Sequence, residues 1–255
     1  MLHDLIPMKR ILLLSLAVIL LLVVGALGYF YFSLNSLVKE AVETVGPRIT
    51  QTKVLLSSAS LSPFSGNGRL NGLLVGNPEG FRGAYALKLG SIVINVNKES
   101  LLTDTIVVDS IIIRNPEILL EGTLSGNNLS KLLRNIKSST ASKPDKEKVK
   151  AAETKSASKA FIVKSVVISG TRLHLAASAL DQKIEQTLPL SEIRLQNIGS
   201  RGSGTSASDV AEQILTPMIT SAIKEGLNTL AKQGVKQLQN QGINELNKVL
   251  PGLFK

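Results

Sequence analysis

The spacing of apolar and polar positions changes several times along this 255-residue chain, and each change marks a different kind of element. The first regime runs from Ile11 to Phe32. These 22 residues carry no charge, and only Ser15, Gly25 and Gly28 fall outside the large apolar and aromatic set plus Ala. A helix of that length rises about 33 Å, enough to cross the hydrocarbon core of a bilayer. Lys9 and Arg10 precede the run and Tyr29-Phe30-Tyr31-Phe32 closes it, so Lys9, Arg10, Tyr29 and Tyr31 are the expected membrane-interface residues. The reading adopted is a retained transmembrane anchor over 11–32 behind a short tail over 1–10. A cleaved signal peptide ending near Ala26-Leu27-Gly28 is the competing reading, and the apolar stretch exceeds the roughly 7–15 residues of a signal core. Met8-Lys9-Arg10 also reads like a start. A short basic segment before a single span stays cytoplasmic, which leaves the bulk of the chain on the far side.

After the anchor, short β-branched runs alternate with turn residues. Val54 to Leu61, Arg69 to Val75, Ile184 to Leu190 and Ile193 to Ile198 read as strands, with Gly76-Asn77-Pro78-Glu79-Gly80 as a turn. Short helices are expected at Lys98 to Leu102 and at Leu129 to Ile136, the second capped by Asn127 or Asn128. Two segments repeat one another. Val107-Val108-Asp109-Ser110-Ile111-Ile112-Ile113 aligns with Ile162-Val163-Lys164-Ser165-Val166-Val167-Ile168. Each is followed by a turn, Asn115-Pro116 or Gly170-Thr171, and then by a second strand, Ile118-Leu119-Leu120 or Leu173-His174-Leu175. Gly90 to Val96 echoes the first half of the unit. Neighbouring strands joined by short turns pair antiparallel, so this grammar predicts a meander with one apolar face.

The period changes again near the end. Val210, Ile214, Met218, Ile223, Leu227 and Leu230 recur at helical spacing, and Leu238, Leu246 and Leu250 continue the stripe. A Ser/Gly-rich joint over 199–208 leads into this amphipathic segment at 209–250. Pro217, Gly226, Gly234 and Gly242 predict helix pieces in place of one rod. The expected partner of the stripe is the apolar face of the sheet, with a membrane surface or another protein as the alternatives.

Charge alters this picture little. The net charge of +10 resembles a nucleic-acid signal, but aromatics are only 4% with no Trp, which leaves few platforms for stacking bases, so no nucleic acid is expected. Much of the excess lies in a Lys/Ser/Ala segment over 138–159, too poor in large apolar residues to offset its ordering entropy and therefore read as a disordered loop. Contact between its lysines and anionic headgroups is one reading of that loop, and a solvated spacer is the other. Cysteine is absent, which removes disulfides and thiol chemistry.

Several segments together resemble the AsmA-like family of membrane-anchored bacterial envelope proteins. They are the anchor, Leu61-Ser62-Pro63-Phe64-Ser65-Gly66, Val75-Gly76-Asn77-Pro78-Glu79-Gly80-Phe81, Leu89-Gly90-Ser91-Ile92, Ser100-Leu101-Leu102, Ile106 to Ile111, and Ile113-Arg114-Asn115-Pro116-Glu117-Ile118. The likeness covers roughly residues 8 to 135 and, more loosely, 160 to 198. It implies a role in outer-membrane homeostasis and, for the larger members, a curved β-sheet holding an apolar groove for lipid. The expected architecture is then α+β: an N-terminal transmembrane helix, a curved antiparallel β-meander over 33–198 and C-terminal amphipathic helices.

No catalytic set accompanies these segments. His3 precedes the anchor, and His174 shares a strand face with Arg172, opposite Leu173 and Leu175. Asp104, Asp109, Glu117 and Glu121 are scattered, and Gly66-Asn67-Gly68 lacks the rest of a phosphate loop. The expectation is a non-enzyme without cofactor or metal, single-pass in a bacterial inner membrane with its bulk in the periplasm. Its apolar sheet face would take phospholipid acyl chains, with Ile92, Ile94, Ile111, Ile113, Val166 and Ile168 as groove-lining or core candidates. The alternative is a scaffold whose C-terminal helix binds an envelope protein partner.

Overall fold

The computed structural model describes residues 21–22, 33–62, 64–123, 126–141, 159–179, 182–200, 202 and 204–253. The candidate anchor, apart from 21–22, lies outside them together with Lys9, Arg10, Tyr29 and Tyr31, as does 142–158 of the Lys/Ser/Ala segment. Among the described residues, no helix is long and apolar enough to cross a membrane.

The first described element of any length is a helix, α1 (33–50), which the meander expectation does not include. Leu34, Val38, Val42, Val45 and Ile49 recur at helical spacing along it. It stops where Gln51 adopts φ 54°. There the Gln51 N–H returns to the Pro47 carbonyl at 2.8 Å. Next come β1 (Val54–Ser62), β2 (Asn67–Val75), β3 (Leu87–Val96), a 3-10 turn (Lys98–Leu102), β4 (Thr105–Arg114) and β5 (Glu117–Thr123). The rest is α2 (Asn128–Ala141), β6 (Ala160–Ser169), β7 (Arg172–Ala179), β8 (Gln182–Pro189), β9 (Ile193–Ile198) and α3 (Ala207–Leu253).

The nine strands form one sheet, and it is mixed where an antiparallel meander was expected. The repeat explains the difference. β4 and β5 do not fold back as a hairpin, because both pair antiparallel with β3, in one continuous register from Val96↔Val108 to Leu87↔Ile118 apart from a shift at Asn95/Val96. They are two halves of one kinked strand, turning a corner at Asn115 (φ 50°) and Pro116. β6 and β7 form a second such strand with its corner at Gly170 (φ 68°). The copies lie side by side and parallel in the register of the sequence repeat, Ile111↔Val166 and Ile113↔Ile168 before the corner, Ile118↔Leu173 and Leu120↔Leu175 after it. Parallel neighbours require a long crossover, and α2 with the segment after it supplies one. β8 and β9 run antiparallel to β7 and β6, and so complete the far edge. The corners are stitched together. The Asn115 N–H donates to the Ser169 carbonyl at 2.8 Å, and the Arg172 N–H to the Pro116 carbonyl at 2.9 Å. A Cβ on Gly170 would fall 2.3 Å from Asn115 Oδ1, so this corner requires glycine.

Residues matched by the repeat become cross-strand neighbours, and at two such places their charges are opposite. Lys164 Nζ lies 2.7 Å from Asp109 Oδ1, and Arg172 Nη2 lies 2.7 Å from Glu117 Oε1. Like charges there would repel across the parallel pair.

Among the described residues, α1, α2 and α3 each contribute to the core. Asn127 caps α2, its Oδ1 accepting from the Ser130 N–H at 2.8 Å, and Leu129, Leu132 and Ile136 are fully buried. The helix runs on through Ser138 to Ala141, four residues into the segment read as loop. α3 is one continuous helix of 47 residues. It starts at a reciprocal cap in which Asp209 Oδ2 accepts from the Ser206 N–H at 3.3 Å while the Asp209 N–H donates to Ser206 Oγ at 3.1 Å. Ile214, Met218, Ile219, Ala222 and Leu230 are buried. Gly226, expected to break the helix, serves close packing, because a Cβ there would stand 2.6 Å from Leu120 Cδ1 and 3.5 Å from Leu175 Cδ1.

Candidate functional site

The outer edge strand, β1, shows how α1 is held. Edge strands leave N–H groups unpaired and prone to pairing with another chain. Here α1 lies along β1 and supplies acceptors from its own side chains. Glu43 Oε1 takes the Leu56 N–H at 2.9 Å, and Asn35 Oδ1 takes the Leu61 N–H at 2.9 Å. An apolar pocket of about 330 Å³ opens between this helix and α3. Val38, Val42, Val45 and Ile49 of α1 form one wall, Val54, Leu73 and Val75 of the sheet the floor, and Ala207, Ala211 and Leu215 of α3 the other wall. The short side chains of the alanines at 41, 207 and 211 leave the gap unfilled.

Thr50 contributes the single polar side chain among the lining residues, and its hydroxyl is already engaged, donating to the Gly46 carbonyl at 2.9 Å. No charged group faces the cavity, so it offers dispersion contact and exclusion of water but no acid, base or nucleophile. Its volume is at the lower end of the range for ligand pockets. An acyl chain entering it gains about 0.8 kcal/mol for each CH₂ removed from water.

The six sheet residues singled out from sequence form two cross-strand rows. Ile92, Ile113 and Ile168 stand opposite one another on β3, β4 and β6, as do Ile94, Ile111 and Val166. All but Ile94 are buried in the core, and Ile94 lines a separate open apolar pocket of about 340 Å³ with Leu34, Leu61, Val96 and Leu101. Residues of α1 and the start of α3 shape the pocket of about 330 Å³, and the helical spacing of 34–49 is the signal that points to its α1 wall.

Polar clusters hold the fold together. Glu117 faces solvent at the corner, where Arg172 at 2.7 Å and Lys88 at 3.7 Å flank it. The hydrogen bond from Arg172 holds its carboxyl below the usual glutamate value, with Lys88 adding to the effect against the opposing push of burial. Tyr85 donates to Glu117 at 3.4 Å, and its hydroxyl is pushed above the ordinary tyrosine value by burial and then by the Glu117 charge. Burial pushes the Asp209 carboxyl up, and hydrogen bonds from Ser206 and Thr205 more than offset it, leaving it below the usual aspartate value. His174 contacts Thr187 Oγ1 at 3.0 Å on the solvent side, opposite the buried Leu173 and Leu175. Among the described residues, no group of acidic or histidine side chains could hold a metal ion.

The turn motif after β2 has a structural duty. Asn77 Nδ2 donates to Glu121 Oε2 at 2.8 Å while its Oδ1 accepts from the fully buried Asn128 at 2.7 Å. Glu121 also collects the Arg82 and Gly83 N–H groups at 2.8 and 2.7 Å, pinning the 76–86 connection to β5 and α2.

The described residues thus define an α+β fold, a mixed sheet covered by helices with an apolar cleft beside its β1 edge. The chain belongs to the AsmA family, whose signature matches residues 8–213, most of its length. Membership implies an envelope protein linked to the outer membrane and lipid homeostasis, in a family that is generally non-enzymatic. Comparison with curated proteins and with solved structures gives no match.

Proposed function

We propose that this chain is a single-pass, inner-membrane-anchored periplasmic protein that takes a phospholipid acyl chain into the pocket between α1, α3 and the β1–β2 edge, in support of envelope lipid homeostasis. The observation that carries the reading is the pocket itself: about 330 Å³, lined by aliphatic side chains from four elements with Thr50 as the one polar side chain, and free of charge. Its helical wall, α1, begins directly after the uncharged run that ends at Phe32, so a lipid leaving the bilayer would meet it first. None of Ile92, Ile94, Ile111, Ile113, Val166 and Ile168 lines this pocket; their rows belong to the same sheet as its floor on β1 and β2.

The test is lipid extraction from the purified full chain, compared with Ala211→Phe, which fills the pocket from the α3 side. Native protein is expected to carry phospholipid in excess of the variant, with both equally helical and the variant at least as thermostable. Equal lipid content in the two would remove the pocket from the account. The adaptor reading draws on α3, where Val235 is 56% exposed beyond Leu230, the last buried position among those whose burial is described. Capture of an envelope protein that is lost on truncation after Leu230, with lipid unchanged, would favour it.

A further inference from the structure

We propose that the end of the sheet where α1 begins docks against the bilayer surface, with Phe64 and Leu102 inserted at the boundary between headgroups and acyl chains. This rests on the anchor reading above and adds a second, peripheral membrane contact to it.

Phe64 is 80% exposed and Leu102 is 94% exposed, which makes them the two most exposed large apolar side chains among the described residues. Isolated surface hydrophobics are ordinary, but these two stand at the same end of the molecule. Phe64 is on the β1–β2 turn and Leu102 closes the 3-10 turn after β3. The Val96 N–H donates to the Gly66 carbonyl at 2.7 Å, so the first turn packs on the end of β3, from which the second departs. Leu34, Leu61, Val96 and Leu101 share one open apolar pocket of about 340 Å³, which places the start of α1 between the two turns.

The occupant follows from where the chain leads. Residues 11–32 are uncharged and end one position before α1, and Asn35 in its first turn is bonded to Leu61. Phe64 lies three positions beyond Leu61, a reach of at most about 11 Å. The interfacial zone of a bilayer is about 5–7 Å thick on each side, so a tip this close to the point of emergence is within reach of it. Among the described residues at this end, exposed Lys98 and Lys159 are matched by exposed Glu99 and Asp104, so the attraction proposed is that of the two apolar side chains. The contact is therefore apolar and insensitive to salt.

The absence of cysteine makes the test direct. Phe64→Cys, Leu102→Cys, Ser33→Cys and Ala84→Cys are each labelled with an environment-sensitive fluorophore in the full chain. Each is then reconstituted in phosphatidylethanolamine/phosphatidylglycerol vesicles containing a spin-labelled quencher lipid. Ser33 reports the anchor, and Ala84, exposed in the connection after β2, reports a surface away from it. The expected result is quenching at 33, 64 and 102 roughly two-fold or more above that at 84, unchanged in high salt. Quenching at 33 alone, with 64 and 102 matching 84, overturns the docking and leaves the anchor standing. No quenching at 33 overturns the anchor and the docking with it. Quenching at 64 and 102 that high salt abolishes overturns the apolar contact.

Discussion

Glu117 and Asp209 are the side chains through which single residues most clearly fix larger elements, the first at the sheet corner and the second at the start of α3. Both carboxyls titrate below their ordinary values in the folded chain. A depressed folded value means that the stabilisation is complete above the unfolded carboxylate range, about pH 4–4.5, and is lost as pH falls through the folded values. Thermal stability should therefore be flat across neutral pH and decline only in acid, with Glu117→Gln flattening part of that decline in a pH series of melting curves. Charge exchange tests the parallel register. Glu117→Arg places like charges opposite Arg172 and should cost about 1 kcal/mol, while adding Arg172→Glu should recover most of it in chemical denaturation. At Gly226, the approach to Leu120 leaves no room for a large side chain. Gly226→Leu should cost about 1–3 kcal/mol despite its better helix propensity, because α3 must lift from β5 and β7.

Elements show which patterns were legible and which were not. The strands of the repeat, the 3-10 turn at Lys98–Leu102 and the Asn127 cap can all be read from periodicity and capping chemistry. The antiparallel expectation fails because Asn115-Pro116 and Gly170-Thr171 have the composition of a hairpin turn while acting as corners in continuing strands. What distinguishes the two is the pairing of Asp109 with Lys164 and of Glu117 with Arg172, opposite charges at matched repeat positions. α1 escaped notice because its stripe follows the aromatic cluster directly, although Leu34, Val38, Val42, Val45 and Ile49 keep helical spacing. Pro217 and the glycines mislead about α3, since burial of Ile214, Met218 and Ile219 on the sheet outweighs their propensity cost. The pocket was not legible at all, as its walls come from α1, β1, β2 and α3, far apart in sequence. The edge-covering role of α1 makes its own prediction. Asn35→Ala with Glu43→Ala leaves the Leu56 and Leu61 N–H groups without acceptors, so β1 should become a pairing edge and the protein should self-associate in sedimentation runs.

At the scale of the whole molecule, the kinked strands shorten the sheet. Three strands in series with three others make it six strands across, about 24 Å between the outermost backbones. On the proposed reading, a sheet of this size would hold lipid as a module and would not carry it across an envelope. The account therefore stands on whether the pocket holds lipid in the cell. The most direct measurement is photocrosslinking from a benzophenone side chain placed at Val42, with Ala84 as the exposed comparison, followed by detection of bound phospholipid. The account predicts a phospholipid adduct at 42, none at 84, and loss of the adduct when Ala211→Phe is added. An absence of phospholipid at 42 in a folded, membrane-located protein would contradict it.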